Sequence, residues 1–142
     1  MRLWHKDLIP YLPKSQLQSQ WRELNSIFKN QNRHILINYV YDESPETLLV
    51  YSWLVVNELV KRGVKVKFDN MIDYFNNRGI SIFDTVSLRE FKEHNNRYLL
   101  QCFYNLQEKY DRGQKDFTED VYQNLCDYMK NKFQVMYEDL FS

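Results

Sequence analysis

Apolar residues recur along the chain at helical spacing in four stretches, and they predict an all-α protein. Leu17, Trp21, Leu24 and Phe28 follow an i, i+4, i+7, i+11 pattern, which predicts a helix starting near Pro13–Ser15. Ser15, Gln18, Ser19, Arg22 and Ser26 fall on its wet face, with Glu23 on the flank. Leu48, Leu49, Trp53, Val56, Leu59 and Val60 form a broader stripe, as expected of a central helix. Ser44-Pro45 starts that helix, because proline suits the first helical position and its predecessor avoids the α region. Lys61-Arg62-Gly63 ends it with basic residues in the last turn and glycine beyond. A third stripe carries Phe91, Tyr98, Cys102, Leu106 and Tyr110, with Ser87-Leu88-Arg89-Glu90 as its expected capping box and Asp111–Gly113 as its stop. The fourth runs Val121, Leu125, Tyr128, Met129, Lys132, Phe133, Met136 and Leu140, with Asp116 and Glu119 as a second capping box.

The connections are less regular. Met1 to Leu12 is expected to be extended, since Pro10 and Pro13 oppose any helix there. Lys29–Arg33 reads as a polar loop, and His34 to Tyr41 as short extended structure or packed connection. Val64 to Asp84 shows no clear period and has turn signals around Asn76–Gly79. The expected architecture is a compact single-domain bundle of about four helices with an extended N-terminal segment, spanning residues 1–142.

Composition agrees with one well-packed core. A chain of 142 residues that is 44% hydrophobic can bury a core, and 27% charged residues with a mean hydropathy of −0.64 keep its surface wet. Eleven tyrosines fit either helix seams that have a polar edge, the commoner case, or a surface that stacks on something. No apolar run reaches the length of a membrane span and the start has no signal-peptide core, so a cytoplasmic protein is expected. Cys102 and Cys126 sit at apolar helix positions and read as reduced core thiols.

Charge changes the picture more. The formal net charge is zero, yet Met1–His34 carries +4 while Asp84 to the end carries −3. A basic patch confined to one end fits local contact with phosphates. No glycine-rich phosphate loop, HExxH, Cys/His cluster or GxSxG is present, and His5, His34 and His94 are scattered, so neither metal nor cofactor is expected. What remains is the N-terminal constellation: the chain start, Arg2, His5 and Lys6, then Trp21-Arg22-Glu23-Leu24. On spacing alone an adjacent Arg–Glu pair on a helix flank is an ordinary solvated pair.

In register, however, Leu8, Leu12, Leu17, Arg22-Glu23-Leu24 and Phe28, followed by His34, Tyr41-Asp42 and Lys61-Arg62-Gly63, resemble the pyrimidine-dimer DNA glycosylase family. The likeness extends from Met1 to about Val66. It implies a bifunctional glycosylase/AP lyase, without metal, that attacks damaged duplex DNA with an N-terminal α-amine and forms a Schiff base. Met1 would then be the nucleophile and Glu23 its catalytic carboxylate. Arg2, His5, Lys6, Arg22 and His34 would contact DNA. Residues 1–34 become the catalytic-type segment and 35–142 a helical scaffold, working as a monomer on double-stranded DNA with a damaged or abasic site, pyrimidine dimers among the candidate lesions.

Several positions depart from the family pattern. Arg2 is bulky enough to protect Met1 from removal, which puts the amine on Met1. Ser26 stands where the family has an arginine and Gln16 where it has a histidine. Tyr137–Phe141 lacks a basic aromatic tail. Two other classes therefore stand beside the enzyme: a non-catalytic nucleic-acid-binding module, and a helical protein-interaction module.

Overall fold

The computed structural model describes residues 2–134. Among them are five α-helices and two short 3-10 helices, with no strand. The α-helices are Lys14–Asn30 (α1), Pro45–Lys61 (α2), Asp69–Asn76 (α3), Asn96–Asp111 (α4) and Glu119–Lys132 (α5), and the 3-10 helices are Lys6–Tyr11 and Asn38–Tyr41. The all-α expectation holds, and the count of about four becomes five.

The first 3-10 helix corrects the expectation of an extended start. Pro10 lies inside it, which a 3-10 turn tolerates because few of its amides need an intrahelical partner. Residues 2–5 do run without regular structure. Arg62 of α2 closes the far end, donating to the carbonyls of Leu12 at 2.7 Å and Pro10 at 2.9 Å.

Helix α1 starts where expected but has no side-chain cap of its own, Pro13 being its N-cap. Asp116, read from sequence as part of a capping box for the last helix, supplies the missing acceptor instead. It takes the Ser15 backbone N–H at 2.7 Å and the Ser15 hydroxyl at 2.7 Å, while Thr118 caps α5. Helix α2 follows the sequence closely: the Ser44 hydroxyl accepts from Glu46, and Gly63 closes the end at φ 80°. There the Val64 N–H reaches the Leu59 carbonyl and Gly63 that of Val60, a Schellman end.

Two further readings change. Helix α3 lies in the stretch without a clear period. It is only eight residues long, and burial of Met71, Tyr74 and Phe75 holds it in place, with Phe28 of α1 against both aromatic rings. The Ser87–Glu90 capping box is not one. Residues 87–95 are irregular, and α4 begins only where the Asn95 side chain accepts the Tyr98 N–H at 3.0 Å. The delay lets Phe91 and His94 turn inward against Tyr39 and Tyr51.

One continuous core runs from Leu3 to Met129. Helix α2 lies within it, touching α1 and both 3-10 helices, and α1 also packs on α3. Tyr110 of α4 stacks on Tyr122 of α5 at 3.9 Å, and Tyr11 on Tyr128 at 5.0 Å, so tyrosines do form the seams. Cys102 and Cys126 are free and buried, as read from the pattern. The expected residues Met136 and Leu140 lie outside the described residues. No helix among those described is long and apolar enough to cross a membrane.

Candidate active site

The start of the chain is embedded and not draped over the surface. Leu3, Trp4 and His5 are all buried, and burying backbone there requires partners for each amide and carbonyl. Side chains from three helices supply them. Gln20 of α1 accepts the Trp4 N–H at 2.7 Å and donates to the Arg2 carbonyl at 3.1 Å. The Tyr51 hydroxyl of α2 donates to the Trp4 carbonyl at 2.6 Å, and that of Tyr98 of α4 to the Leu3 carbonyl at short range.

Glu23 meets this segment at its first described residue. The carboxylate accepts the Arg2 backbone N–H at 3.2 Å and the Gln20 amide at 3.2 Å. Its placement follows from helix geometry: three residues beyond Gln20, it projects from the same side of α1, one step nearer the surface. Burial pushes the Glu23 carboxyl above its ordinary 4.5, while the two hydrogen bonds oppose the shift. Glu23 is thus a half-buried carboxyl group with a raised pKa.

The other predicted residues separate into groups. Met1 lies outside the described residues. Arg2 is half-buried, its guanidinium 5.8 Å from the ring centres of both Trp4 and Tyr98. His5 is only 3% exposed. Its Nδ1 accepts the Asp7 N–H, starting the first 3-10 helix, and its ring stacks on His94 at 5.4 Å. Lys6 is held between Asp7 at 2.9 Å and Glu90 at 3.0 Å. Burial alone would lower the Lys6 pKa, but these two carboxylates hold it above its ordinary value. Arg22 is exposed and donates only to the Ser19 hydroxyl, at 2.8 Å, with no ion pair among the described residues. His34 is also exposed, in the turn after α1. Of the predicted residues, Arg2 and Glu23 are brought together through the Arg2 N–H, Arg22 and His34 stay on the surface, His5 is buried in the fold, and Lys6 is engaged in ion pairs.

Sequence reading missed Gln20, Tyr51, His94 and Tyr98. Gln20 carried a usable signal, being a polar residue at i+3 from Leu17 and i−4 from Leu24, within the buried face. His94 is neutral: burial depresses its imidazole to about 3. Its Nδ1 accepts the Lys6 N–H at 3.3 Å, so the proton sits on Nε2 and is donated to the Tyr39 hydroxyl at 2.8 Å. Tyr39 and Tyr98 line a groove of about 360 Å³ with Arg2, Glu93, Ile35, Leu36, Gln101 and Asn105. Ile35 is 86% exposed there. Among the described residues no group of three or more His, Cys, Asp or Glu is placed to hold a metal ion.

The chain belongs to the pyrimidine dimer DNA glycosylase family, whose model matches residues 1–72. That span contains Gln20, Glu23 and Tyr51, while His94 and Tyr98 lie beyond it. No curated protein and no solved structure matches the chain.

Proposed function

We propose that this protein is a DNA glycosylase/AP lyase, acting on damaged duplex DNA through a Schiff base on the α-amine of residue 1. The observation that carries the reading is the Glu23 carboxylate bonded to the Arg2 N–H inside the family-matched segment. The proposed amine belongs to the residue that directly precedes Arg2 in sequence, whose N–H this carboxylate accepts.

The chemistry requires little else. An α-amine titrates near ~7.7–8.0, so a useful fraction is neutral at physiological pH. Its lone pair attacks C1′ of the damaged nucleotide, and the glycosidic bond breaks with its electron pair leaving on the base, which takes up a proton. Opening of the C1′–O4′ bond, its electron pair leaving on O4′, which takes up a proton, gives the protonated imine. The Glu23 carboxylate stabilises this cation and accepts the C2′ proton, and the electrons of that C–H bond expel the 3′ phosphate. Water then hydrolyses the imine, returning the amine. Arg22, exposed and without a carboxylate partner among the described residues, supplies a fork for a backbone phosphate. The groove beside Arg2, with tyrosine walls, offers room for a nucleotide that has left the stack.

Borohydride trapping on a duplex with one abasic site tests this directly. The intact protein should give a covalent adduct, and acetylation or extension of the N-terminus should abolish it. Glu23→Gln should slow trapping by about 100-fold or more while DNA binding persists. A protein with a free amine that binds the duplex but never forms an adduct is a non-catalytic binding module, and the proposal then fails.

A further inference from the structure

Gln20 is the buried polar residue around which the N-terminal segment is arranged. It is 1% exposed, on a face of α1 otherwise lined by Leu17, Leu24, Ile27 and Phe28. A residue there only to fill space would be apolar, since each buried polar atom needs a partner to offset its desolvation. An amide side chain offers two donors and two acceptor lone pairs, and Gln20 uses all four. Its nitrogen donates to the Arg2 carbonyl at 3.1 Å and the Glu23 carboxylate at 3.2 Å. Its oxygen accepts the Trp4 N–H at 2.7 Å and lies 3.0 Å from the Tyr51 hydroxyl, whose proton it shares with the Trp4 carbonyl. The orientation is unambiguous. Exchanging nitrogen and oxygen would set the amide carbonyl against a carbonyl and a carboxylate, and would leave the Trp4 N–H facing a donor.

We infer that Gln20 is the positioning residue of the candidate site: by gripping the backbone on both sides of Leu3 together with the Glu23 carboxylate, it sets the distance between the chain's first residues and that carboxylate. The inference rests on the proposed function for its catalytic meaning. Gln20 touches no substrate and acts through Glu23 and the backbone. Tyr51 and Tyr98 hold the same segment by its carbonyls, but among these three only Gln20 reaches both partners. Small displacements of reacting groups are costly to rate, and one side chain here controls both ends of the relevant distance.

The test uses two variants of the full chain. Gln20→Met keeps length and flexibility and removes every hydrogen bond. Gln20→Glu keeps the shape, replaces the donating nitrogen with oxygen and sets a second carboxylate beside Glu23. Three quantities are read: the single-turnover trapping rate at saturating abasic DNA from pH 5 to 9, the Kd for a duplex with a reduced, uncleavable abasic site, and the Glu23 titration by carboxyl 13C NMR. Gln20→Met should trap about tenfold or more slowly with a Kd within about twofold of wild type, and Glu23 should titrate at higher pH because one donor to its carboxylate is gone. In Gln20→Glu the titration and the acid limb of the rate should move higher still.

A folded Gln20→Met with wild-type rate and unmoved Glu23 titration overturns the inference. So does a rate loss matched by an equal loss of affinity with the titration unmoved. Should Gln20→Met not fold, an unmoved acid limb and titration in Gln20→Glu overturns it. If the wild-type protein gives no adduct at all, the proposed function fails by itself, and the NMR arm still decides whether Gln20 sets the state of Glu23.

Discussion

Glu23 and Arg22 are neighbours in sequence with opposite surroundings, and each leads to a separate measurement. Glu23 is desolvated and its pKa lies above 4.5. If its ionised form is needed, the rate must fall more steeply as pH drops through that raised value, beyond the earlier fall set by protonation of the amine, so a second acid limb of the trapping profile should lie above pH 4.5. A second limb at or below 4.5 would separate Glu23 from the chemistry. Arg22 is exposed and free of ion pairs among the described residues. Arg22→Ala should weaken DNA binding about equally across sequences and reduce the slope of log K against log salt by about one. Lys6 is already neutralised by Asp7 and Glu90, and Lys6→Ala should leave that slope nearly unchanged. A reversed order would mean that DNA approaches another face. The Arg–Glu pair itself was legible in the sequence because the family register marks it. Its asymmetry was not, because spacing says which face a residue occupies and nothing of how the chain start covers that face.

At the scale of elements, what could be read depended on whether the determinants were local. Helix α2 begins and ends where Ser44-Pro45 and Gly63 predict, since a cap acts within one turn. Helix α3 escaped notice because eight residues with two aromatics and two asparagines have little intrinsic helicity, and packing on Phe28 decides the matter. The Asp116 side chain serves a helix 101 residues away, which no capping rule anticipates. Asp116→Ala should therefore destabilise the fold by about 1 kcal/mol, seen as a lower midpoint in urea with an unchanged m-value. Burial opposes ionisation of Asp116, but the hydrogen bonds from Ser15 and Gln114 together outweigh it and hold its pKa below 3.8. Its stabilisation is thus complete above pH 3.8 and lost as pH falls through the lower folded value. Equal stability of wild type and Asp116→Ala at pH 7 would remove this contact from the account of α1.

For the molecule as a whole, acid sensitivity should begin at the two stacked histidines. His94 titrates near 3 when folded and near 6.5 when unfolded, and burial lowers His5 as well. Between those limits the unfolded chain binds more protons, so stability is full above pH 6.5 and declines as pH falls toward 3. Glu23 works the other way, because its raised pKa makes the folded state the better proton acceptor just above 4.5. Asp7 and Asp116 contribute below 3.8, where their lowered values lie. The window from pH 6.5 to 4.5 therefore belongs mainly to the imidazoles. Urea denaturation should lose on the order of a kcal/mol or more across it, and His94→Phe should be less stable at pH 7 but flatter in pH. A variant as steep as wild type would shift the cause elsewhere. None of this was visible in sequence, where His5 and His94 stand 89 positions apart.

The bond from Tyr98 to the Leu3 carbonyl also bears on how the protein is made. It joins positions 95 residues apart, and Lys6 depends on His94 across 88. Translation makes Leu3 and Lys6 before their partners Tyr98 and His94 exist. Domains fold as units once their long-range partners exist. Leu3 and Lys6 therefore reach their final places only after the segment carrying His94 and Tyr98 has been made.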